Sequence, residues 1–211
     1  MKPSHEMILM PDAAFPVKAV LRSYKNEEYI YVHPYWHGAV EILLIANGKV
    51  VQQINGKIFE AGRGSLVVIP PEQIHSTYTD KNVKNEILVV QFKTDFLESS
   101  ACCPSERNLI RKFAEEIDFP GPIGDETPSG RKAAECIEGI YEELKEKRNG
   151  FEVFAKAYIL EFIGIMARDF GGGRRARENR YRANRAKDML KNTFRLIDEN
   201  FSLNIALKTA A

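Results

Sequence analysis

The sequence predicts an α+β protein: an antiparallel β-barrel or sandwich, then a helical hairpin, then the start of an all-α unit. Three observations carry this. Short runs rich in Val, Ile, Leu and Tyr, separated by turn signals, fill residues 17–93. No run is followed by a long helical pattern before Phe92, which argues against a parallel βαβ sheet. Beyond Phe92 the apolar residues recur at helical spacing. With 44% hydrophobic and 28% charged residues in 211, the chain has an ordinary globular composition.

The predicted strands cover 17–23, 29–33, 40–46, 50–54, 65–69, 75–79 and 86–92. Asn47-Gly48 and Asn55-Gly56 read as two-residue hairpin turns, whose favoured type needs positive φ at both residues. A helix is expected over 104–119, followed by a Pro- and Gly-rich loop over 120–130. Ala133, Ile137, Ile140, Tyr141 and Leu144 stripe the next helix, with Ser129 as its N-cap and Asn149-Gly150 as its stop. Phe151, Phe154, Tyr158, Phe162, Ile165 and Met166 stripe a further one. There Ile159, Leu160 and Ile163 widen the apolar surface beyond one face, so it needs cover on two sides. Tyr158, Ile159, Phe162, Ile163 and Met166 are the expected contacts of a homodimer.

Gly171-Gly-Gly173 reads as a hinge, and Arg174, Arg175 and Arg177 open an arginine-rich linker. A last helix carries Met189, Leu190, Phe194, Ile197 and Phe201, and the chain stops inside the element after it. The expected organisation is a barrel over 1–98, a helical dimerisation region over 99–170, a basic linker over 171–185 and an incomplete unit over 186–211.

Net charge is +1, yet from Gly171 onward there are ten Lys or Arg against four Asp or Glu. Any polyanion contact is therefore expected C-terminally, with Arg174, Arg175 and Arg177 as the candidate phosphate contacts. Cys102, Cys103 and Cys136 show no zinc or redox spacing. The first residues lack the apolar core of a signal peptide, and the longest apolar run, over 157–167, is broken by Glu161 and too short to cross a bilayer. The expectation is a cytoplasmic protein with no membrane partner.

Two segments carry chemistry. His37 is followed by Glu41 four residues on and by Gly48; Gly64 is followed by Pro70 and His75. Together they resemble the two cupin motifs, HxH-x3-E-x6-G and G-x5-P-x-G-x2-H, and the resemblance implies a cupin-like jelly-roll barrel. Cupin enzymes hold a divalent metal on three His and one Glu. Here Tyr35 stands at the first His, Glu72 at the motif glycine and Thr79 at a later Asn position. The expectation is no metal and no cofactor; a metal, if held, would sit on His37, Glu41 and His75. Tyr29, Tyr31, His33, Tyr35 and His37 alternate on one strand face. Tyr31, His33, Tyr35, His37, Glu41 and His75 are thus the candidate ligand contacts, suited to a sugar or other small polar metabolite.

The C-terminal run Leu196-Ile197-Asp-Glu-Asn200-Phe201, followed by Ile205-Ala206-Leu207-Lys-Thr-Ala210-Ala211, resembles the opening of the AraC/XylS-type DNA-binding domain. Ala206 replaces that family's Ser/Thr cap and Ala210 its Leu. Joined to the barrel, it resembles an AraC-type transcriptional regulator over nearly the whole chain. That resemblance implies a barrel that senses a small-molecule effector, a dimerising hairpin and two helix-turn-helix motifs that read DNA, with recognition helices beyond Ala211. The chain is then not an enzyme. The alternative is a cupin metalloenzyme, a dioxygenase or isomerase, using a two-His-one-Glu site.

Overall fold

The computed structural model describes residues 3–25, 31–79, 84–98, 103–116 and 121–170. By backbone contacts the chain divides into Met1–Gly171 and Gly172–Ala211. All described residues belong to the first unit. The expectations for Tyr29, for the linker arginines and for the 186–211 unit lie outside the described residues.

Nine strands form two sheets. One has the order β1 (Ser4–His5), β3 (Tyr31–Trp36), β8 (His75–Thr79), β5 (Lys49–Ile54), β6 (Lys57–Gly62). The other has the order β2 (Val17–Tyr24), β9 (Asn85–Phe92), β4 (Val40–Asn47), β7 (Leu66–Ile69). Every pairing is antiparallel except β1 with β3. The result is the cupin-like jelly roll the motifs implied, with β6 an additional strand between the predicted 50–54 and 65–69.

β4 shows why the barrel and the helices form one folding unit. Leu43 and Ile45 point between the sheets, where Val50, Ala61, Val67, Ile69 and Ile87 join them. Val40, Ile42 and Leu44 point the other way, into a larger core shared with the helices. Three helices cover that outer face: α1 (Pro104–Glu116), α2 (Pro128–Glu146) and α3 (Phe151–Ile165), with a π-helical turn at Met166–Phe170. The segment before α2 is stitched to the β7 edge, since Leu66 and Ile123 exchange two backbone hydrogen bonds of 2.8 Å.

One turn expectation and one cap expectation need correction. Asn55-Gly56 is the predicted hairpin turn, with φ of 47° and 82°. Asn47-Gly48 joins strands of different sheets, and of the two only Gly48 has positive φ, 87°. A side chain at Gly48 would collide with Asn85, whose Oδ1 accepts from the Lys49 N–H at 2.9 Å. The dipeptide turns a corner here because Asn85 reaches in and fixes it. The cap of α2 is Thr127, extended and accepting from the Gly130 N–H at 3.0 Å, with Pro128 at the first helical position. Ser129 instead donates to Asp169 at 2.7 Å.

The dimer contacts expected on α3 are intramolecular. Ile159, Phe162, Ile163 and Met166 are fully buried in the shared core. The Tyr158 ring lies against Gly139 of α2, where any Cβ would meet it. The broad apolar surface is explained by two covers within one chain: α2 on one flank and α1, whose Phe113 ring meets Phe162 edge-on, on another. Each of those side chains contributes roughly 1.5–3 kcal/mol by burial. What α3 does leave exposed and apolar is Val153 and Phe154 in its first turn.

Candidate functional site

Between the sheets lies a cavity of about 570 Å³. Its floor is the inward face of the β2–β9–β4 sheet. Cross-strand pairing sets Lys18 beside Gln91 and Gln91 beside Glu41, so one row runs ammonium, amide, carboxylate. The next row is apolar: Val20, Val89, Leu43. Arg22 pairs with Ile87 in the row beyond, and all of these residues line the cavity. Ser4, His5 and Glu6 of the N-terminal segment add to the wall, held beside β3 by the Glu6 N–H donating to the Trp36 carbonyl at 3.0 Å.

Glu41 is the centre of a buried polar cluster. Its Oε2 lies 3.2 Å from His37 Nε2 and accepts from Gln91 Nε2 at 2.5 Å; the Tyr35 hydroxyl donates to Oε1 at 3.5 Å. His75 Nε2 is 3.7 Å from Oε1 and, among the described residues, has no hydrogen-bond partner although it is buried. Both imidazoles are oriented from behind. His37 Nδ1–H donates to the Ala39 carbonyl at 3.1 Å, and His75 Nδ1–H to the Gln73 carbonyl at 2.8 Å. Each Nε2 is thereby turned onto the carboxylate.

Burial by itself pushes the Glu41 carboxyl up, but the His37 hydrogen bond, the charges of His75 and His37 and the Gln91 amide outweigh it. The group lies below its ordinary value and is anionic. Burial holds His75 below its ordinary value, against the pull of Glu41. Burial, reinforced by Glu41, raises the Tyr35 phenol, which keeps its proton. A ligand atom from each of His37, Glu41 and His75 falls within 4.8 Å of the others. Two imidazole nitrogens and a carboxylate, with one nitrogen unpartnered, fit a divalent first-row cation in donor set.

The predicted site residues are not all in one place. Tyr35, Glu41 and His33 line the cavity; His37 and His75 stand behind Glu41 and do not form its wall. Tyr31 is outside, exposed, its ring against Tyr78 and His33. The strict alternation fails because β3 slips. Partners run Tyr31–Tyr78, Val32–Thr77, then Tyr35–His75, so three residues of β3 span two of β8. Pro34, which cannot donate to the ladder, sits in the slip. Val32 and Tyr35 thereby come to the same inward side. Sequence reasoning missed Lys18, Arg22, Gln91 and Thr77; the alternation of Lys18, Val20, Arg22 and Tyr24 on β2 was the available signal.

A family model described as "AraC-like ligand binding domain" matches residues 19–163. Among solved structures, a Cupin 2 conserved barrel domain protein from Salinispora arenicola is 14% identical, covers 44% of this chain and 76% of its own, and has a TM-score of 0.35. The cupin domain of an XRE family transcriptional regulator from Enterobacter cloacae is 13% identical, covers 40% and 90%, and scores 0.34. Bacillus subtilis oxalate decarboxylase, a protein with Mn(II) centres, is 22% identical, covers 36% and 21%, and scores 0.32. No curated protein matches the chain.

Proposed function

Because this chain belongs to the AraC-like ligand-binding domain family, we propose that it senses a small-molecule effector in the barrel cavity and serves a ligand-responsive transcriptional regulator. The observation that carries this is the cavity itself: polar groups converge on an apolar strip between the two sheets, the make-up of a metabolite site. Lys18, Arg22 and Gln91 on the floor and Tyr35 on the facing sheet can orient a ligand, and the buried Glu41 ties Tyr35 to Gln91 across the two sheets.

The output follows from population shift. An effector changes the protein only by binding one arrangement better than another. The cavity floor and the helical core are opposite faces of the same strands, so a ligand that reseats Gln91 or Leu43 also bears on Val90 and Ile42 under the helices. DNA contact through Arg174, Arg175 and Arg177, which lie outside the described residues, and pairing of two copies complete the proposal. The dimer surface then uses residues other than the buried α3 set.

The test is thermal unfolding of the purified chain against a metabolite panel. A ligand at 100 times its Kd stabilises by about 2.7 kcal/mol. Recovery of that ligand unchanged supports a sensor, and its chemical conversion overturns the reading.

The unpartnered His75 Nε2 favours a second reading, a cupin metalloenzyme. His37, Glu41 and His75 would hold a first-row ion, which would supply Lewis-acid chemistry and open coordination positions. In that reading Tyr35 and Gln91 orient the carboxylate. One tightly bound ion per chain by elemental analysis, lost in His75→Ala, would establish it.

A further inference from the structure

Building on the sensor reading, the geometry points to a small organic carboxylate as the cavity's ligand, its anionic group met by Lys18 and Arg22 and its apolar body lying on the Val20–Val89–Leu43 strip. Lys18 and Arg22 occupy inward positions four residues apart on β2, and both line the cavity. At about 3.3 Å per residue their Cα atoms are roughly 13 Å apart. Two long side chains can close that gap over Val20 from either side.

Neither cation forms an ion pair among the described residues. Surface lysines elsewhere do, as Lys49 with Glu60 at 2.6 Å and Lys84 with Glu86 at 2.7 Å. The cavity's own carboxylates, Glu41 and Glu6, form no ion pair with them among the described residues. Glu41 is engaged by His37, Gln91 and Tyr35, and Glu6 sits exposed on the N-terminal segment. A neutral sugar would leave two positive charges facing it and set its hydroxyls against Val20, Val89 and Leu43. An acid with an apolar body answers both surfaces. The wall consists of strands and the N-terminal segment, with no helix N-terminus or glycine-rich loop of the kind that cradles phosphate. A guanidinium fork beside one ammonium suits a carboxylate.

The experiment is thermal unfolding and calorimetric titration of the 211-residue chain with hexanoate and 3-phenylpropanoate, each paired with its primary amide, and with D-xylose. The acids are expected to raise Tm while the amides and the sugar do not. Lys18→Gln/Arg22→Gln should bind the acids at least about 10-fold more weakly at unchanged ligand-free Tm, as expected for loss of charge-assisted hydrogen bonds. If the double variant fails to fold, Arg22→Gln alone, at an exposed position, gives the same comparison. Equal stabilisation by the amides or xylose, unaffected by the substitutions, overturns the anion assignment and leaves the sensor reading standing. Absence of acid binding at millimolar concentration also overturns it. An acid bound through these cations but consumed on incubation upholds the anion site and overturns the sensor reading instead.

Discussion

The Glu72 N–H donates to the His37 carbonyl at 2.6 Å, and Glu72 makes that bond at a φ of 67°. The two sequence motifs are thus clasped to each other by backbone. The position the cupin pattern gives to glycine is a left-handed one, which an L-residue occupies at a cost of roughly 1–2 kcal/mol.

Replacing Glu72 tests this directly. Glu72→Gly should fold with stability equal to or above that of the parent, and Glu72→Val should lose about 1–2 kcal/mol, because a β-branched residue fits positive φ worst. Urea unfolding of the three proteins measures it. A Val variant as stable as the Gly variant would contradict the backbone assignment.

Glu41→Gln should cost about 1–3 kcal/mol, since it removes the charge that satisfies a buried hydrogen-bonded cluster. The carboxyl is held below its ordinary value in the fold. Its contribution is therefore present above the unfolded carboxylate pKa and is lost as pH falls through the lower folded value. Stability of the parent against pH should show that acid limb, and the Gln variant should show a shallower one.

Ile159→Ala should lose about 2–5 kcal/mol and Ile159→Glu should not fold, because the side chain is fully buried in the core shared by barrel and helices. Phe154→Glu, at an exposed site on the same helix, should change stability by no more than about 0.5 kcal/mol. Denaturant midpoints decide. A folded, monomeric Ile159→Glu protein would restore the expectation of a subunit contact there.

Cys136 should resist thiol reagents in the native protein. Burial pushes its thiol up to about 12, so the reactive thiolate is scarce at pH 8. Because the folded pKa is the higher one, the residue's effect on stability turns unfavourable as pH rises above the unfolded thiol value, about 8.5. A Cys102→Ser/Cys103→Ser protein should react with Ellman's reagent only after urea is added. Rapid native labelling would count against the buried placement.

Periodicity and turn chemistry sufficed for most of the fold. Strand alternation placed seven of the strands to within a few residues, and Asn55-Gly56 specified its own turn, because those preferences are local. The resemblance to the cupin motifs implied that His37, Glu41 and His75 come together, and the structure brings a ligand atom of each within 4.8 Å of the others. Ser129 and Thr127 both stand before α2, and local pattern did not choose between them; the extended backbone at Thr127 and its bond to Gly130 did.

Residues whose role depends on what lies across from them were not legible. On β2, Val17, Ala19 and Leu21 look like the buried side and Lys18 and Arg22 like the solvent side. With helices over the outer face of the sheet and a second sheet over the inner, Val17 and Ala19 met the helical core, Leu21 stayed exposed, and the charged side met the cavity. The same double cover turned the wide apolar surface of α3 into internal core. At Pro34 a missing N–H became a slipped register only because β8 lay alongside to be mispaired. The chain by itself determined which segments are strands and helices and which side chains can do chemistry. Which face each segment turns to solvent, cavity or core was decided by the layers stacked against it, because burial belongs to a pair of surfaces and not to one.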